Sequence, residues 1–361
     1  MTKRELCNGF LGSGSSFSPL KAWDECNGNR FFIYVDYLSR KFLMVNDDSI
    51  LLTSDQNKMF EAILSVTYSD SKYYAHLFYC TNMFGHWQGK VITELPGVPE
   101  PVLYIKYEVD IVAKSATEIL RKSIGKIPGI PVATLKKNNY LYLAYYTLSD
   151  FTGVPQTENY LNIRLARISM NTVEDVALCA VDGLNGQYSG RVRGTFLIDG
   201  QYLCLITKGD SFKTGAMMLI DSASLRVHDY RRKHILNPDP EYPMLITVAP
   251  NQIAYCSNER KYLPGGFGSR ISKATFNLNY SVATQILSST YYERVYGLKG
   301  LLNGNIVGYR YNAQRQDFLD LCIGTQFIET IYHLGFNTVV FSDRVIYQSG
   351  AFGQTKLIEV R

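Results

Sequence analysis

Short apolar runs separated by clusters of Gly, Asn, Asp and Ser fill this chain from end to end. Some alternate strictly, as in Leu161-Asn162-Ile163-Arg164-Leu165, and others are apolar throughout, as in Tyr140-Leu141-Tyr142-Leu143. A period of two, with Tyr, Phe, Val and Ile as the recurring apolar residues, predicts β-strand after β-strand.

One unit recurs seven times: an apolar run, a tight polar turn, and a Tyr- or Ile-rich run immediately after. The turns are Asn27-Gly28-Asn29, Ser69-Asp70-Ser71, Lys137-Asn138-Asn139, Asp199-Gly200, Pro250-Asn251, Asn303-Gly304 and Ser342-Asp343. Asn-Gly and Asp-Gly reach positive φ at little cost, so these segments read as hairpins. The first apolar residues after successive turns lie 42, 67, 62, 51, 53 and 39 positions apart. Such spacing is close to the length of one four-stranded propeller blade. Third and fourth strands follow the hairpins, for example Met217-Met218-Leu219-Ile220 with Arg226-Val227-His228, and Phe318 to Leu321 with Phe327 to Ile331.

The last unit stops after three strands, ending on Lys356 to Val360, and Lys3 to Leu11 can supply the missing one. Sharing a blade between the two chain ends removes open sheet edges. The expectation is therefore an all-β, single-domain, seven-bladed β-propeller closed by the N-terminal strand. Its blades fall near 20–56, 57–124, 125–183, 184–234, 235–290, 291–334, and 335–361 with 1–11. The rival architecture is a β-sandwich or two stacked β domains. Ser115-Ala116-Thr117-Glu118 carries a capping-box signature, which predicts a short helix within 111–124. The overlong second unit predicts a small inserted element.

Composition excludes several classes. Of 361 residues, 46% are hydrophobic and 19% charged, which rules out disorder for most of the chain. The excess of Lys and Arg over Asp and Glu is only +5 and does not point to nucleic acid. Seven well-separated cysteines without a CxxC read as free thiols in a reducing compartment. The N-terminus lacks the apolar core of a signal peptide, and no run is long enough to span a membrane. Intracellular synthesis is expected, with the protein cytoplasmic or assembled into a particle. No cofactor or metal is implied.

In such a fold the turns joining strands one to two and three to four share one face of the disc. These are tight here, whereas the connections on the other face are long and carry aromatics. Candidate binding residues on that loop-rich face are Phe84, His86, Trp87, Phe151, Phe212, Tyr262, Phe267 and Phe352. A basic run, Arg226, Arg231, Arg232 and Lys233, falls on a predicted outer strand.

Catalytic motifs are missing. Asp24, Glu25 and Glu61 on the first strands fall at unmatched offsets, so paired-acid hydrolysis finds no support. His76, His86, His228, His234 and His333 have no metal-ligand spacing, and His76 reads as a satisfied strand histidine. These absences predict a non-catalytic interaction or assembly module with protein partners, with a virion or phage-tail-like component as one form. The alternative is a carbohydrate-binding protein or glycan-processing propeller enzyme, with Trp87, Tyr262 and Phe267 stacking on sugar rings.

Overall fold

The computed structural model describes residues 1–11, 22–38, 40–53, 59–80, 101–125, 129–148, 161–169, 172–181, 192–209, 216–231, 245–249, 251–259, 268–276, 282–286, 295–311, 318–332, 338–350 and 355–361. Among them, β1 (Lys3–Asn8) and β2 (Phe10–Leu11) precede seven successive sets of strands. Blade 1 holds β3 (Trp23–Cys26), β4 (Asn29–Val35), β5 (Lys41–Val45) and β6 (Asp48–Thr53). Blade 2 holds β7 (Phe60–Ser69), β8 (Lys72–Cys80), β9 (Val102–Asp110) and β10 (Ser115–Ile124). Blade 3 is β11 (Gly129–Lys137), β12 (Tyr140–Leu148), β13 (Leu161–Ser169) and β14 (Thr172–Val181). Blade 4 is β15 (Val192–Asp199), β16 (Tyr202–Gly209), β17 (Ala216–Asp221) and β18 (Val227–Arg231). Blade 5 comprises β19 (Leu245–Ala249), β20 (Gln252–Glu259), β21 (Gly268–Phe276) and β22 (Val282–Ile286). Blade 6 comprises β23 (Val295–Leu302), β24 (Asn305–Tyr311), β25 (Phe318–Ile323) and β26 (Gln326–Tyr332). Blade 7 takes β27 (Thr338–Val340), β28 (Val345–Ser349) and β29 (Lys356–Val360), and β1 completes it.

Every blade is an antiparallel meander, and the first strand of each packs beside the first strand of the next, from β3 to β27. The circle closes where the Trp23 indole N–H donates to the Val340 carbonyl at 3.1 Å, joining β3 to β27. First strands meeting in a ring exclude the sandwich and stacked-domain rivals. The propeller reading stands, and β1 pairs antiparallel with β29 from Lys3↔Val360 to Asn8↔Lys356.

All seven predicted hairpins join first to second strands. At Asn27-Gly28 both residues have positive φ (49° and 75°), as do Asn303-Gly304 (48° and 77°). This backbone hand matches strand twist, so the turn closes without splaying the pair. The apolar run of β12 now has a reason. Leu141, Leu143 and Tyr145 pack toward blade 2, while Tyr142, Ala144 and Tyr146 pack toward blade 4. A strand buried on both faces has no polar side to alternate with.

Two expectations are corrected. The predicted helix within 111–124 is a turn followed by β10, which pairs with β9 along its whole length. The Asp110 carboxylate, accepting from Ala113 N at 2.8 Å, organises that turn, and nine residues of ladder outweigh the capping-box signature. The closing strand also ends earlier than Leu11. Phe10 and Leu11 already pair with Val35 and Tyr34 of blade 1. Among the described residues Cys80, Cys204 and Cys322 are buried free thiols, and Cys7 and Cys26 are half-buried free thiols.

Candidate functional site

Polar side chains on the inner strands come together near the tight-turn face. Asp24 on β3 accepts from Val66 N of β7 at 2.7 Å and from the Lys136 ammonium of β11 at 2.6 Å. Lys136 also donates to the Val66 carbonyl at 2.9 Å. One ion pair thereby ties the inner strands of blades 1, 2 and 3. Glu25, the next residue, points the opposite way, as alternation requires. Its carboxylate accepts from Ser342 N and Oγ in blade 7, at 3.0 and 2.9 Å. Two adjacent carboxylates therefore serve two different seams and do not form a pair of catalytic acids.

Behind Asp24 and Lys136 lies His76 on β8, buried, with both ring nitrogens engaged. Nε2 shares a hydrogen bond with Thr67 Oγ1 and Nδ1 one with the Tyr104 hydroxyl, each 2.9 Å long. Burial, aided by the nearby Lys106 and Lys136 charges, pushes its pKa down to about 3. The ring is a neutral hydrogen-bonding post and too weak a base for proton abstraction near neutrality. It behaves as the satisfied strand histidine expected from sequence. Tyr104→Phe would orphan a buried ring nitrogen, so a loss of about 1–2 kcal/mol is expected in urea unfolding.

Further out, the Tyr145 hydroxyl donates to Asp175 at 2.6 Å, and Arg164 Nη2 bonds the same carboxylate at 2.9 Å. Burial raises the phenol's pKa and Asp175 raises it further, so Tyr145 is a permanent donor. These groups were not singled out in the sequence. Arg164 stands as a charge within the alternating run Leu161 to Leu165.

The loop-face candidates Phe84, His86, Trp87, Phe151, Phe212, Tyr262, Phe267 and Phe352 lie outside the described residues, as do Arg232 and Lys233. Arg226 is exposed just before β18, and Arg231 ends that outermost strand, opposite Met217. The described part of the basic run thus lies at the outer edge of blade 4. His228 is exposed there against the Tyr202 ring, centroids 4.9 Å apart. Among the described residues no cluster of three or more His, Cys, Asp or Glu could hold a metal ion. None of their helices is long and apolar enough to cross a membrane.

No family model and no curated protein matches the sequence. Solved structures match the fold. A prolyl endopeptidase aligns over 99% of this chain and 47% of its own, at 9% identity and a TM-score of 0.51. The chain spans about half that protein's length. A polysaccharide lyase, an ulvan lyase bound to -[GlcA(1-4)Rha3S]-, aligns over 99% of this chain and 95% of its own, at 12% identity and a TM-score of 0.50. The unbound ulvan lyase aligns over 98% and 95%, also at 12% and 0.50. At these identities the likeness is one of fold. It nonetheless corrects the expectation of a non-catalytic assembly module, and of a virion or phage-tail component. These similar propellers, a prolyl endopeptidase and an ulvan lyase, are enzymes.

Proposed function

We propose that this chain is a glycan-processing propeller enzyme acting on an acidic polysaccharide at its loop-rich face. The observation that carries the reading is the fold shared with an ulvan lyase over almost the full length of both chains. The saccharide bound to that lyase bears a carboxylate and a sulfate, which sets the substrate class proposed here. Trp87, Tyr262 and Phe267 supply flat apolar faces for sugar rings. Elimination is the class of reaction named for that lyase, and Asp24 and Glu25, engaged at separate seams, are not a pair of hydrolytic acids. Cleavage beside a uronate needs a base, a proton donor and a cation against the carboxylate, and no paired acids.

Incubation with uronate-bearing and neutral polysaccharides, following reducing ends and the ultraviolet absorbance of unsaturated uronate together, tests the reaction class. Both signals should rise with a uronate polymer only. Reducing ends without absorbance would mean hydrolysis, and neither signal on any polymer would sink the reading. Trp87→Ala should raise KM about tenfold through lost stacking.

A further inference from the structure

β1 is the outermost strand of blade 7, and its attachment differs from that of the strands inside the blade. In Lys3-Arg4-Glu5-Leu6-Cys7-Asn8 only Leu6 and Cys7 are half-buried; the other four residues are exposed. β28, on the far side of β29, is buried over Val345 to Gln348. Leu6 and Cys7 pack against the apolar cluster shared by blades 7 and 1, and the other side chains that hold β1 are ionic. Lys3 reaches Glu329 at 3.1 Å, Arg4 reaches Asp47 at 2.6 Å and Glu359 at 3.6 Å, and Glu5 meets Lys356 at 2.9 Å. Lys3, Arg4, Glu5 and Lys356 are about half exposed, so salt screens these pairs.

A pivot is also present. Leu11 is buried, and its N–H donates to Gln348 Oε1 at 3.3 Å, so β2 is anchored between blades 7 and 1. Between that anchor and β1 stands Gly9, with φ +152°. A Cβ there would lie 2.9 Å from the Val35 carbonyl and 3.0 Å from the Tyr34 ring. Glycine at the junction of two differently anchored strands can absorb the backbone change of a hinge.

We propose that β1 is a latch: it detaches from β29 as a unit about Gly9, and the vacated β29 edge takes up the β1 of a second copy of this chain. The edge is selective for that strand. Its register sets Arg4 opposite Glu359 and places Glu5 beside Lys356, so a strand with the reverse charge order meets like charges. An opened edge is a template for strand addition, and exchange of an identical element is a low-cost route to a dimer.

Hydrogen exchange on the full chain reads the opening. Lys3 to Asn8 amides should exchange far faster than those of Val345 to Ser349, and raising salt to about 1 M should speed them roughly tenfold. Concentrating a mixture of unlabelled and nitrogen-15 protein in that salt, then returning it to low salt, should give a mixed-isotope dimer by native mass spectrometry. Glu5→Lys, an exposed change that repels Lys356, should speed opening without raising the dimer fraction, because the strand of a second copy meets the same repulsion. Equal protection of the two strands, or an opening rate indifferent to salt, would overturn the latch. A chain that stays monomeric at every concentration would overturn uptake by a second copy.

Discussion

Glu359→Ala is expected to lower the stability of the propeller by about 3 kcal/mol, measured by equilibrium urea unfolding. Glu359 sits on β29, buried, and its Oε2 accepts from Arg344 Nη1 at 2.7 Å, with both side chains under a tenth exposed. Its other oxygen accepts from Arg361 Nε at 2.7 Å. Removing the acid leaves a buried guanidinium short of its closest counter-charge, the costly way to break a buried pair. Asp343 still holds Arg344, at 3.0 Å, but Asp343 is half exposed and shared with Arg30, so it offsets little. That places the loss at the lower end of the range for broken buried pairs. Glu359→Leu combined with Arg344→Met should recover most of it, since neither charge is then desolvated alone. A single mutant costing no more than a surface substitution would mean that water reaches this pair.

Ionic contacts gather at the flanks of the closing blade. Toward blade 6, burial would raise the pKa of Glu329, yet Ser349, Tyr347 and Lys3 hydrogen-bond the carboxylate and hold it below the usual range. Toward blade 1, Arg30 and Arg344 share Asp343, and Arg4 takes Asp47. The four strands of each of the first six blades are consecutive in the chain, whereas blade 7 combines β27 to β29 with β1. Side-chain charge supplies part of the cohesion that chain connectivity supplies elsewhere.

The hairpins were legible because their chemistry is local: a positive-φ pair such as Asn27-Gly28 leaves few alternatives to a tight turn. Closure was legible from arithmetic, three strands remaining at one end and one at the other. β10 was misread because Ser115-Ala116-Thr117-Glu118 is a local helix signal, while the ladder that decides its state lies on β9. The inner-strand ties were invisible for a different reason. Asp24 and Lys136 are 112 positions apart, and strand alternation gives each side chain a face but not the neighbouring blade it reaches. The functional expectation failed on the same ground. It was built on absent motifs, yet a propeller site drawn from loops of several blades has no fixed spacing to leave in one stretch of sequence.

Gly300→Ala should cost about 2 kcal/mol, and Gly300→Val about 3 kcal/mol or more, because the inner strands of blades 6 and 7 leave no room for a side chain. A Cβ on Gly300 would lie 2.7 Å from Val340 Cβ and 2.8 Å from its Cγ1, distances that real Cβ atoms do not adopt. Radiating sheets are closest at the hub, and Gly194 repeats the contact in blade 4, where a Cβ would be 2.9 Å from Val132 Cγ1. Val340→Gly removes the obstructing Cβ and both methyls, so Gly300→Ala with Val340→Gly should be more stable than the sum of the single losses by about 1 kcal/mol. The sign of the single mutant is decisive. Where nothing obstructs, alanine in place of glycine stabilises by roughly 0.4–1 kcal/mol through the unfolded chain. A stabilised Gly300→Ala protein would therefore show that β23 and β27 do not approach this closely. The hub would then have to be held by the polar ties of the inner strands and not by their contact.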